Sequence, residues 1–106
     1  SVYEIVSTKF KDDINYPSQL KAMQSLDHIV SSFSGFESRQ YYYSHELNRW
    51  TDVVIWTDQN AAIEASKDAF NNEVALAVFS MMEEGSQIFS YNRLVGKTDR
   101  VEDVIP

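Results

Sequence analysis

Asp52 stands in the run Arg49-Trp50-Thr51-Asp52-Val53-Val54-Ile55-Trp56, where strand alternation places its carboxyl on one face with Trp50, Val54 and Trp56. A carboxylate among such side chains is costly to desolvate unless it is paired. Two outcomes are open. A raised pKa makes Asp52 a base able to take a phenolic proton, or an arginine on a neighbouring strand, Arg39, Arg49 or Arg93, neutralises it as a structural ion pair. Trp50 and Trp56 serve either as stacking surfaces for an aromatic ligand or as anchors of a core or interface. Tyr43 ends the run Tyr41-Tyr42-Tyr43, whose members point alternately to opposite faces, so at most two share a pocket. Asn92 and Arg93 also split between faces, and either stabilises charge developing on a substrate or makes a surface or dimer contact. The chemistry such a set supports is proton removal from a small aromatic compound. Asp52 and Arg93 are the candidate catalytic groups, and Trp50, Trp56, Tyr43 and Asn92 the candidate substrate contacts.

Other chemistries fall away on composition. The chain has no cysteine, which removes disulfides, thiolate nucleophiles and cysteine metal sites. His28 and His45 stand alone without a spaced set of ligands, so no metal is expected. With three glycines there is no loop to cradle a phosphate or dinucleotide, and no serine sits on a nucleophile elbow, so no cofactor is expected. A net charge of −7 without a basic cluster argues against nucleic acid and anionic membrane as partners. Residues 1–10 lack the basic start and apolar stretch of a secretory signal, and no long apolar run follows, so a soluble, unprocessed, cytoplasmic protein is expected. At 106 residues, 43% hydrophobic and 24% charged, the chain suits one globular domain, and oligomerisation is a natural supplement to its modest core.

The elements that must position these residues follow from periodicity. Residues 1–10 alternate as a strand, with Val2, Val6 and Thr8 on one face and Tyr3 and Ile5 on the other. Pro17 suits a first helical position, and Leu20, Met23, Leu26, Val30 and Phe33 recur at steps of three and four, giving a helix to about Phe33 that Gly35 ends. Residues 36–44 and 49–57 read as strands of an antiparallel hairpin, since only a short loop separates them. Asp58 is placed to cap a helix whose buried side consists of Ala61, Ala62, Ala65, Ser66 and Ala69, interrupted at Asn71 and Asn72. That small-residue face either sits close on the sheet or leaves room for a guest molecule. A further helix, about 72–84, is apolar around most of its girth and closes at Gly85; a last strand spans 87–95, and a polar tail with Val101, Val104 and Ile105 follows Gly96.

Strand, helix, strand, strand, helix, strand is the βαββαβ order of the ferredoxin-like α+β fold, a four-stranded antiparallel sheet with helices on one face. Strands one, three and four carry large apolar residues on both faces, which a sheet with one solvated side does not explain. A homodimer pairing the open sheet faces into a shared barrel is the simplest remedy.

The sequence also resembles a family. Ser34-Gly35-Phe36-Glu37-Ser38 at the helix exit, the tyrosine-rich strand, Trp50 to Trp56, and the Ala61-Ala62 and Ala65 helix are similar to the dimeric α/β barrel proteins grouped with antibiotic biosynthesis monooxygenases, over about residues 1–95. The resemblance implies a cavity between sheet and helices holding a small hydrophobic or aromatic molecule. It implies cofactor-independent oxidation of phenolic compounds in some members and haem chemistry in others. Tryptophan, asparagine, tyrosine and arginine hold a substrate anion in the cofactor-free oxidisers, and Trp50, Trp56, Asn92, Tyr43 and Arg93 supply those types here. The haem pattern needs a helical histidine, for which His28 on the polar side of its helix is the sole candidate. The expected unit is therefore a domain of residues 1–95 with the tail 96–106 either an arm onto the partner subunit or disordered, acting as a cofactor-independent monooxygenase; the alternative is a non-catalytic ligand-binding or structural homodimer.

Overall fold

The computed structural model describes residues 1–102, and Val104 and Ile105 of the expected arm lie outside them. The elements run β1 (Val2–Thr8), α1 (Tyr16–Ser31), β2 (Phe36–Ser44), β3 (Arg49–Trp56), α2 (Gln59–Ala69), α3 (Glu73–Ser80) and β4 (Ile88–Asn92). The strands form one antiparallel sheet in the order β2-β3-β1-β4, with β1 between β3 and β4. This is the expected ferredoxin-like α+β arrangement.

Local chemistry sets the boundaries. The Asn15 side chain accepts from Ser18 N at 3.0 Å to cap α1, with Pro17 in the first turn, where a missing N–H costs nothing. Asp58 caps α2 through Ala61 N at 2.8 Å, and Asn72 caps α3 through Ala75 N at 3.0 Å. The two asparagines that interrupt the small-residue helix therefore end one helix and start the next. Gly35 has φ +84°, and a Cβ there would lie 2.6 Å from the Ala61 Cβ and 2.8 Å from the Thr57 Oγ1. Both the left-handed backbone and the close approach of α2 to the end of α1 thus require glycine.

Three boundaries differ from expectation. Helix α1 stops at Ser31, two residues short of Phe33. Helix α3 stops at Ser80 rather than near residue 84. The chain beyond it pairs with the segment after β1, through a Phe10–Met82 bridge and through Lys11 N to Met81 O at 2.9 Å. Gly85, at φ +80°, therefore shapes the turn into β4 and does not close a helix. Strand β4 ends at Asn92, which leaves Arg93, Leu94 and Val95 outside the sheet.

The core lies between the sheet and the helices in two clusters. One gathers Phe10, Met23, Leu26, Trp50 and Val78, and the other Val54, Trp56, Ala62 and Ala65. Tyr3, Ile5, Val53 and Ile55 have the opposite parity on β1 and β3 and face away from the helices, beside the exposed Tyr42 and Ile88. No helix among the described residues covers that apolar face.

Candidate functional site

A cavity of about 870 Å³ opens between the sheet and the helices. Its sheet side is built from inward-facing residues of three adjacent strands: Glu4 and Val6 of β1, Asp52, Val54 and Trp56 of β3, and Tyr91 of β4. Register places them together, because Glu4 pairs with Val54 on one side and Tyr91 on the other, and Val6 pairs with Asp52. The helical side is mostly apolar, with Leu26 and Val30 of α1, Ala65 and Ala69 of α2 and Ala75 and Phe79 of α3, and its polar members are the hydroxyls of Ser66 and Ser80. The small-residue face of α2 thus does two things: Ala61 meets Gly35 closely, while Ala65, Ser66 and Ala69 leave room. Lys11 and Glu84, both exposed, stand at the rim.

Polar groups are few and arranged unequally. Arg39, with 3% of its side chain exposed, sits beneath Asp52 and holds both of its oxygens: Nε donates to Oδ1 at 3.0 Å and Nη2 to Oδ2 at 2.9 Å. The remaining arginine nitrogen donates to Asp27 Oδ1 at 2.7 Å and to the Met23 carbonyl at 2.9 Å, and the guanidinium lies 4.2 Å from the centre of the Tyr41 ring. Of the three arginines that could neutralise Asp52, the structure selects Arg39. Arg49 instead donates to Ser7 Oγ and the Ser86 carbonyl.

Glu4 is the second carboxylate of the cavity, and its surroundings differ. Trp56 Nε1 donates to its Oε1 at 3.1 Å, and among the described residues no donor reaches Oε2. Burial pushes the Glu4 carboxyl above its ordinary value; the Trp56 N–H opposes this, and the nearby charge of Asp52 adds to it. Burial also raises the Tyr91 hydroxyl, with a further contribution from Glu4.

Asp52 and Trp56 therefore lie together on the cavity, and the other candidates do not join them. Trp50 is buried in the first core cluster, where Nε1 donates to Gln19 Oε1 at 3.0 Å and Tyr16 stacks on the ring at 5.9 Å. Tyr43 packs against that same indole and donates to Asn48 Oδ1 at 3.1 Å. Asn92 lies on the outer side of β4, with Nδ2 donating to the Tyr3 carbonyl at 3.1 Å, and Arg93 is exposed beyond the strand. Asn92 and Arg93 border a separate small depression of about 230 Å³. Glu4 and Tyr91 escaped the sequence reading, although Glu4 alternates with Val2, Val6 and Thr8 in β1 and so occupies an inward position by the same parity that singled out Asp52. His28 is exposed on α1, and among the described residues no group of three or more His, Cys, Asp or Glu side chains is placed to hold a metal. Among the described residues no helix is long and apolar enough to cross a membrane.

The same architecture occurs in solved structures. SnoaB, a cofactor-independent oxygenase from Streptomyces nogalater, solved as a mutant, superposes with a TM-score of 0.74 at 11% identity, over 93% of this chain and 97% of that one. A monooxygenase from the gene ActVA-Orf6 of Streptomyces coelicolor, solved in complex with the ligand nanaomycin D, gives 0.72 at 15% identity, over 94% and 92%. At3g17210 from Arabidopsis thaliana gives 0.75 at 10% identity, over 92% and 99%. No protein-family model matches the chain, and no curated protein matches it significantly in sequence. The chain has the fold of the antibiotic biosynthesis monooxygenase-like proteins.

Proposed function

We propose that the chain binds a small hydrophobic or aromatic molecule in the cavity between sheet and helices and acts on it as a cofactor-independent monooxygenase. The observation that carries this reading is the cavity itself: a largely apolar space of about 870 Å³ whose sheet side carries a polar strip, Glu4, Asp52, Trp56 and Tyr91. A few convergent polar groups in an apolar pocket orient a ligand without solvating it. The ligands and activities named for SnoaB and for the ActVA-Orf6 monooxygenase belong to those proteins and support the reading by likeness of fold.

In this reading the substrate is its own reductant. A phenolic or enolic ring loses a proton, the resulting anion passes electrons to molecular oxygen, and one oxygen atom stays on the ring as a carbonyl while the other leaves as water. Trp56 and the helical wall exclude bulk water from the reacting anion. Oxygen consumption in the presence of anthrone or a substituted hydroquinone is the test. Uptake well above the protein-free rate is the expected result. A folded protein that binds these compounds without consuming oxygen is instead a ligand-binding dimer.

The unit that works is a homodimer of the 1–95 domain, paired through the outer sheet face. Tyr3, Ile5, Val53 and Ile55 form a contiguous apolar patch there, of the kind a soluble chain keeps covered. Sedimentation equilibrium should give twice the chain mass of 12.2 kDa for the wild type, and a mass near one chain for Val53→Glu. A wild type that sediments at one chain mass overturns the pairing.

A further inference from the structure

We propose that Glu4 is the group that receives the ligand, so that the cavity selects neutral aromatic molecules carrying an O–H or N–H donor and rejects both donor-free analogues and carboxylates. This rests on the reading of the cavity as a small-molecule site and adds what that site recognises.

Two carboxylates face the cavity from the sheet, but Arg39 occupies both oxygens of Asp52, with three contacts between 2.9 and 3.3 Å. Both Asp52 oxygens are thereby engaged by Arg39, which leaves them less free to accept from a guest. Glu4 spends Oε1 on the Trp56 indole at 3.1 Å, and no donor among the described residues reaches Oε2. That indole contact orients the carboxyl, because Trp56 is held with 2% exposure in the core cluster it shares with α2. The result is a charged acceptor of set direction at the floor of an apolar space, whose unmet hydrogen bond only a guest or a water can satisfy. A half-buried acceptor held in this way favours molecules that carry the matching donor over those that lack it.

Charge completes the selection. The groups around Glu4 are Asp52 on β3, neutralised by Arg39 of β2, and Tyr91 on β4, with Lys11 and Glu84 at the rim. Among the described residues, α1, α2 and α3 present no titratable side chain to the cavity. Lys11 is the cation among the lining residues and is exposed at the rim, so a carboxylate brought beside Glu4 on the sheet meets repulsion in a poorly solvated space. Burial raises the Glu4 carboxyl, which suits it to share or accept a phenolic proton: the O–H bond breaks, the proton joins Oε2, and the electron pair remains on the ligand oxygen.

Tryptophan fluorescence titration with 2-naphthol, 2-methoxynaphthalene and 2-naphthoate tests this on the intact chain. The wild type should bind 2-naphthol at least about tenfold more tightly than either analogue at pH 7–8, the scale of one hydrogen bond to a charged group. Protonation of Glu4 as pH falls should erode that preference, starting above the ordinary carboxylate range because the group is raised. In Glu4→Gln the amide oxygen keeps the Trp56 N–H and turns its NH2 into the cavity, so the preference should shift toward the methoxy compound; in Glu4→Leu it should vanish. Equal binding of naphthol and its methyl ether by the wild type, or a naphthol preference that survives both variants, overturns the assignment while leaving the cavity as a binding site. Failure of all three probes to bind the folded wild type overturns the cavity reading and this one with it.

Discussion

Replacing Arg39 by methionine is expected to cost about 3–5 kcal/mol of stability, the loss typical of removing one partner of a buried ion pair. The guanidinium is almost wholly enclosed, and it joins β2 to β3 through Asp52 and the sheet to α1 through Asp27 and the Met23 carbonyl. Methionine approximates the aliphatic stem and leaves Asp52 as an uncompensated charge facing an apolar space. Against a total of about 5–15 kcal/mol for a domain, this is a large share. Denaturant titration reads it directly. A second change, Asp52→Leu, should return most of the loss, because an apolar pair removes the stranded charge. A loss under about 1 kcal/mol in the single variant would mean that water solvates Asp52 and that the pair is not structural.

The second large effect concerns capacity for a guest. Ala65 and Ala62 lie on the same helix in the same core cluster, with 4% and 0% exposure, but only Ala65 also borders the cavity. Ala65→Phe should project a ring into that space, reduce binding of 2-naphthol by more than about tenfold, and leave stability unchanged or raised by about 0.5–2 kcal/mol, as cavity filling does. Ala62→Phe has no space to enter and should destabilise by about 1–3 kcal/mol or more through overpacking. Thermal melts and probe titration of the two variants separate the outcomes. Unchanged binding in Ala65→Phe would place the guest elsewhere.

Much of the architecture was legible because local signals and burial agree. The period of α1, the capping position of Asp58, the glycine at residue 35 and the short link between β2 and β3 each act over a few residues, and each is where the structure has it. The ends of α3 and β4 were not legible. Met81 and Met82 extend an apolar run that looks helical in isolation, but their backbone pairs with Phe10 and Lys11, a contact from the far end of the chain. The site was half legible for the same reason. Parity marks Asp52 and Trp56 as inward, whereas the choice of Arg39 among three arginines depends on the β2–β3 register and on the approach of α1. That Glu4 keeps a free oxygen while Asp52 does not is a property of three strands meeting. No window of sequence contains it.

The position of β4 has a consequence for how a guest comes and goes. It is a five-residue edge strand, its first three residues are exposed, and among the described residues it joins the sheet only through β1. Most of the chain intervenes between β1 and β4, so among the described strands this pairing closes the longest loop and gains least from local contacts. Such a strand is the segment that local opening releases at least cost. Peeling it back would carry away Phe89 and Tyr91, which border the cavity, while the β1–β3–β2 ladder, Arg39 and the Trp56–Glu4 contact stay in place. Under the proposed reading, the floor that would recognise a ligand and the strand that opens at least cost are different parts of one sheet, so changes in β4 would alter residence time without altering what is recognised.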